Sequence, residues 1–136
     1  MTANWLRPSA SLPELNSVPE CDSAFENNLV ILFKHSPTCP VSWMAHREVM
    51  QFVSVQPDLP TYLISVRRRR DVARHIADRT GVIHESPQVL VLRNGALAGV
   101  ASHDEITADW LQTVALGEKS QPAVVDSFSR GRLPVD

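Results

Sequence analysis

The octapeptide Asn28–His35, NLVILFKH, restricts the fold more than any other part of the chain. Its apolar residues are consecutive rather than alternating and include β-branched and aromatic members, the pattern of a strand buried on both faces. Such a strand lies inside a sheet and needs a covering layer on each side, so helical patterns flanking the run predict an α/β architecture. The 136 residues suffice for one such domain with a conventional core, and nothing in the composition marks a second.

Residues 1–16 read as a polar, proline-containing lead. SVPE from Ser17 predicts a capping box, with the Ser17 hydroxyl accepting from the Glu20 backbone and the Glu20 side chain reaching back. A short helix to about Asn27 follows. Beyond the apolar run, Val41, Ala45, Val49 and Phe52 recur at helical spacing. Pro40 suits the first turn of that helix, where its missing N–H has no intrahelical partner, and Pro57 bounds its end. TYLISV from Thr61 predicts a second strand. Arg68–Thr80 predicts a helix with Val72, Ala73, Ile76 and Ala77 on one face, stopped by Gly81. Asn94-Gly95 between two apolar runs is the strongest short hairpin signal, and Ile106, Trp110, Leu111 and Val114 form the inner face of a last helix. Residues 117–136, rich in Gly, Pro, Ser and charge, read as a loosely docked tail, leaving 17–116 as the domain.

The order helix, βαβ, ββα is that of the thioredoxin fold, a four-stranded mixed sheet flanked by helices. In this topology the end of the first strand with Cys39, the end of the second with Arg67 to Arg70, the start of the third from His84 to Gln88, and the end of the fourth from Ser102 to Asp104 share one edge. A cysteine followed by proline at a helix start is placed for nucleophilic chemistry, because free backbone N–H groups and the macrodipole favour a thiolate there. Thr38 and Ser42 are positioned to add hydroxyl hydrogen bonds. Ser42 occupies the place of the second cysteine of a CxxC pair. In thioredoxin-like proteins a cis-proline faces the cysteine, which makes Ser86-Pro87 a candidate cis peptide.

His35, His84, Glu85 and His103 fall near the same edge, but irregular spacing around one cysteine lacks the pattern of a structural zinc site, so no metal is expected. The alternatives for the histidines are solvated loop positions or groups that stabilise a thiolate or shuttle a proton. The Arg67–Arg70 run is either a solvated face or a carboxylate-recognising group. The backbone amides of Ser102 to Asp104 are a second candidate for an anionic group. Cys21 lacks a motif and reads as helix packing; to resolve Cys39 it would have to come within about 7 Å, Cα to Cα.

A formal net charge of −2 with mixed signs gives no basis for nucleic-acid or membrane binding. No targeting pattern opens the sequence and no stretch approaches the roughly 20 apolar residues of a membrane span. With only two cysteines, a cytoplasmic setting and a reactive rather than structural thiol are expected.

LFKHSPTCPVS, HESPQVLVLRNG and ASHDEIT together resemble the YtxJ-like family, the monothiol bacilliredoxins of the bacillithiol redox system, over about residues 17–116. Thr38, Cys39, Pro40 and Ser42 match that family's TCPIS motif, with Val41 in place of isoleucine. Lys34, His35, Ser36 and the whole of His84 to Gln88 match as well. Pro37, the arginine run and the tail depart from the pattern.

The resemblance implies a thiol-disulfide oxidoreductase with Cys39 as nucleophile and Thr38, Pro40 and Ser42 around it. Lys34, His35, His84, Ser86, Pro87, Gln88, Ser102 and His103 would contact substrate, and Arg67, outside the family pattern, would join them through its charge. Its substrates would be stress-generated mixed disulfides between client proteins and bacillithiol, and a low-molecular-weight thiol would act as cosubstrate without a tightly bound cofactor. A glutathione-linked reductase, an iron–sulfur carrier and a non-catalytic adaptor are the alternatives.

Overall fold

The computed structural model describes residues 12–117. In chain order these form α1 (Val18–Phe25), β1 (Leu29–His35), α2 (Pro40–Val55), β2 (Thr61–Ser65), α3 (Arg70–Thr80), β3 (Gln88–Arg93), β4 (Ala96–Ser102), a 3-10 turn (His103–Glu105) and α4 (Ala108–Leu116). The sheet order is β2-β1-β3-β4, with β1 parallel to β2, and with β3 antiparallel to both β1 and β4.

Alternation along the two central strands divides their side chains between two cores. Ile31 and Phe33 of β1, with Val89 and Val91 of β3, meet Val49 and Phe52 of α2 and Leu111 of α4. Val30, Leu32, Leu90 and Leu92 meet Cys21 and Phe25 of α1 and Val72 and Ile76 of α3 on the other face. The sheet is thus covered on both sides, which accounts for the unbroken apolar character of β1 and β3.

The β3–β4 hairpin turns through Asn94 and Gly95, at φ 53° and 80°, the positive values that a two-residue turn of this hand requires. In β4, an ideal Cβ on Gly99 would lie 2.6 Å from Val114 Cγ1 and 3.4 Å from the Trp110 ring. The missing side chain is what lets α4 lie against β4.

Several local expectations change. Ser17 caps α1 through Glu20 N–H at 3.2 Å, but the Glu20 carboxylate closes on the Asn16 N–H at 2.8 Å instead of that of Ser17. Helix α3 begins at Arg70, not Arg68, because Arg69 adopts φ −129° and ψ 59° outside the helical region. Three of the four arginines therefore lie in the turn before the helix. The inner face of α2 starts at Ser42, while Val41 is 38% exposed. Trp110 and Val114 are only partly buried, with Leu111 and Ala115 forming the inner face of α4.

Residues 12–15 run beside β2. Leu63 N–H donates to the Pro13 carbonyl and Leu15 N–H to the Leu63 carbonyl, at 2.9 and 3.0 Å. Leu12 is buried in one core and Leu15 in the other. Of the expected tail, only Gly117 lies within the described residues.

Candidate active site

Cys39 is the N-cap of α2, in extended conformation, and its carbonyl accepts the N–H groups of Ser42 and Trp43. The preceding turn, Ser36–Cys39, closes through Cys39 N–H on the Ser36 carbonyl at 3.1 Å. Pro37 occupies the second turn position, where its fixed φ is an advantage. Two α2 side chains tie this turn to the helix: Ser42 Oγ accepts from Ser36 N–H at 2.9 Å, and Trp43 Nε1 donates to the Pro37 carbonyl at 2.7 Å. The result is a partly exposed, unpaired thiol on a braced turn.

Of the two hydroxyls expected to serve the sulfur, that of Ser42 is committed elsewhere and that of Thr38 carries a contact from Arg67. Ser42 is fully buried, with Oγ 2.7 Å from His35 Nδ1 as well as bonded to Ser36. Thr38 Oγ1 accepts from Arg67 Nη1 at 3.4 Å. The loop backbone and the imidazole draw Ser42 inward, while Thr38 stays exposed beside Arg67, and that competition is invisible in a motif. His35 itself is enclosed by Phe33, Trp43 and His46, with ring centroids 5.3, 4.5 and 5.2 Å away. Burial, reinforced by nearby His46, pushes its pKa down to about 4, so the ring is neutral near pH 7.

Among the described residues, the buried side-chain atoms without a hydrogen-bond partner are Lys34 Nζ, His35 Nε2, Ser86 Oγ and Gln88 Oε1. All belong to the sheet edge that carries Cys39. Folded proteins pair such atoms with protein groups or ordered water, and all four of these lie at one end of the sheet. Lys34 and Gln88 are cross-strand partners on β1 and β3, so their side chains lie together on the α3 face. Burial pushes the Lys34 pKa down to about 8, partly offset by Glu85. Gln88 Nε2 braces the edge from within by donating to the Ile83 carbonyl and Ser102 Oγ, at 3.1 and 3.3 Å. The Ser86–Pro87 peptide bond between these segments is cis.

A groove flanks the edge on either side. Towards α3, a groove of about 460 Å³ is lined by Val66, Arg67, Arg70, Ala73, Arg74, Ala77 and His84. Towards α4, a smaller one of about 140 Å³ lies among Val41, Met44, Glu48, His103 and Thr107. His103 Nδ1 is 3.8 Å from Glu85 Oε1.

Two of the three amides of the expected anion cradle, those of Ser102 and His103, are already used. Ser102 N–H already donates to Glu105 Oε1 at 3.1 Å and His103 N–H to the Pro87 carbonyl at 3.0 Å, and two carboxylates, Asp104 and Glu105, share the turn. Cys21 is fully buried under α1, unpaired, and burial together with Asp22 pushes its thiol pKa up to about 11.

Trp43, His46 and Arg74 are parts of this region that motif reading passes over. Trp43 and His46, at i and i+3 on α2, carry a helical-spacing signal, but only the turn geometry turns it towards His35. No group of three or more potential metal-ligating side chains occurs among the described residues. No helix there is long and apolar enough to cross a membrane.

A thioredoxin-like sheet with a single partly exposed cysteine heading α2, a buried serine one turn on and a cis-proline opposite defines a monothiol thiol-disulfide oxidoreductase of the thioredoxin superfamily. Solved structures agree on the fold. A thioredoxin-fold protein described as a candidate oxidoreductase superposes with a TM-score of 0.73 at 31% identity, over 78% of this chain and 95% of that one. Mitochondrial thioredoxin 3 of Saccharomyces cerevisiae superposes at 0.65 with 14% identity, over 78% and 94%. The oxidised thioredoxin of Plasmodium falciparum superposes at 0.63 with 17% identity, over 79% and 97%. Residues 11–111 match the family of the monothiol bacilliredoxin BrxC, and the chain belongs to that family.

Proposed function

We propose that the protein removes bacillithiol from mixed disulfides on client proteins in the cytoplasm, with Cys39 as nucleophile. The observation that carries this reading is the lone accessible thiol at the head of α2, with serine buried where a resolving cysteine would stand. The Cys39 thiolate attacks the bacillithiol sulfur of the mixed disulfide. That S–S bond breaks, a Cys39–bacillithiol disulfide forms, and the client thiolate leaves, with no net oxidation. Ser42 cannot displace the adduct, so a second low-molecular-weight thiol attacks it and restores Cys39. The bound thiol is a cosubstrate, and no resident cofactor is needed. The backbone of Ser86, which precedes cis-Pro87, holds the extended client segment around the disulfide, the Pro87 carbonyl being already taken by His103 N–H.

Intact mass tests this after mixing reduced protein, or its Cys39→Ser variant, with a reporter protein carrying a bacillithiol or a glutathione mixed disulfide. A bacillithiol adduct on the wild type alone, with stoichiometric release of the reporter thiol, is the expected result. Transfer from the glutathione donor alone would reassign the ligand, and no transfer from either would refute the reductase reading.

A further inference from the structure

The larger groove gathers positive charge that the fold itself leaves unused. Arg68 is paired with Glu14, and Arg79 with Asp22 at 2.8 Å. Arg67, Arg70 and Arg74, by contrast, have no carboxylate within ion-pair distance among the described residues. The nearest acidic side chains on the same helix, Asp71 and Asp78, line the neighbouring groove with Arg70 and Arg74.

On the α3 face of the sheet, which the groove borders, is the fully buried Lys34. Its ammonium is unpartnered and its charge is felt at His84, one of the lining residues. Beside it is the unpaired Gln88 Oε1. Glu85 offsets only part of the cost of burying Lys34, and a buried cation so weakly compensated is costly to keep unless a ligand supplies a fuller counter-charge. Arginine side chains project paired donors that match carboxylate oxygens. The groove also adjoins the nucleophile, because Arg67 Nη1 reaches Thr38 Oγ1 at 3.4 Å, one residue before Cys39. On the opposite side, the amides of Ser102 and His103 are already used and acidic groups stand next to them.

We propose that the groove between the end of β2, α3 and His84 seats the dicarboxylate end of the thiol ligand, with Arg67, Arg70 and Arg74 at its rim and the buried Lys34 on the sheet face it borders. The assignment rests on the bacillithiol reading only for the identity of that ligand, whose malate carries the two carboxylates. A thiol ending in a dicarboxylate would lie with that end against α3 and its sulfur towards Cys39.

Two measurements separate the groove from the chemistry. Titrating L-malate into the wild-type protein should produce saturable amide chemical-shift changes confined to the segments around Arg67–Arg74 and His84. An Arg70→Gln/Arg74→Gln protein should bind about tenfold more weakly, the loss expected when about 1.4 kcal/mol of charge-assisted contact is removed. Saturation by inorganic phosphate at equal affinity, shifts centred on Ser102–Asp104, or no saturable change would each overturn the assignment. In the transfer assay, the double variant should raise KM about tenfold for the bacillithiol donor, with kcat retained, and leave a donor lacking malate unaffected. Equal effects on both donors would also overturn it. Malate binding in the groove without transfer from bacillithiol would support the dicarboxylate seat and refute the thiol function instead.

Discussion

His35 and Lys34 are neighbours in sequence that point to opposite faces of β1, and each is a titratable group held in its neutral-leaning state by burial. The folded His35 pKa of about 4 lies below the ordinary value near 6.5. Between those pH values the unfolded chain binds a proton that the folded one refuses, so stability falls as pH drops from about 6.5 to 4. The loss from this residue is on the order of 3 kcal/mol. Burial lowers the pKa values of His46 and His84 as well, which adds in the same direction. Urea midpoints at pH 7 and pH 4.5 measure the effect. A His35→Gln protein should show a flatter profile across that window, and an unchanged profile would mean that His35 is not the group responsible.

For Lys34 the window is alkaline. With a folded pKa of about 8 against roughly 10.4 unfolded, the penalty of burying the charge is fully present below pH 8 and is relieved as pH rises to about 10.4. Lys34→Met should therefore be more stable than wild type at pH 7, by up to about 3 kcal/mol, and the gap should close by about pH 10. Comparing the two proteins at each pH cancels the contribution of Cys21, which acts in the opposite sense there. A constant gap would place the ammonium in a better solvated position than the structure gives it.

At the scale of elements, the contact between α4 and β4 depends on one absent side chain. Gly99→Ala puts a methyl group 2.6 Å from Val114 Cγ1, closer than real Cβ contacts allow, so the Val114 side chain, α4 or the strand must shift. A loss of about 1–3 kcal/mol is expected from the overpacking. Truncating the neighbour in a Gly99→Ala/Val114→Ala protein should return part of it, which thermal unfolding of the set would show. Failure of the second substitution to help would point to the β4 backbone rather than to the clash.

The N-terminus of α2 has a comparable dependence. Ser42→Ala removes the acceptor for Ser36 N–H and the partner of His35 Nδ1, adjacent groups where β1 enters the active-site turn. The expected destabilisation is about 1–3 kcal/mol, or a fall of roughly 4–8 °C in Tm for each kcal/mol in a domain of this size. Cys39 should show a matching rise in its alkylation rate as the turn loosens.

For the molecule as a whole, the short segment 12–15 closes the β2 side of the sheet and contributes a leucine to each core. Leu12→Ala and Leu15→Ala should each cost about 2–5 kcal/mol, measured singly by urea denaturation. Surface side chains on a mere lead would change stability by less than about 0.5 kcal/mol.

That segment also shows where sequence reasoning stops. Two isolated leucines among Pro, Glu and Asn have no periodicity, and only the free edge of β2 gives them a place to dock. The sequence by itself determined the central strands, because continuous apolar runs must be covered on both faces. It determined the hairpin through Asn94-Gly95, and the cysteine at the head of α2 through the Cys39-Pro40 step. These are local signals, carried by neighbours in the chain. The tertiary structure alone decided that Ser42 turns inward to His35, that the amides of Ser102 and His103 are already spent, and that Arg74 and a buried Lys34 join Arg70 and His84 on one side of the edge. Those outcomes depend on strand register and on competition for hydrogen-bond partners between residues far apart in the chain, and neither is written in the spacing of any one motif.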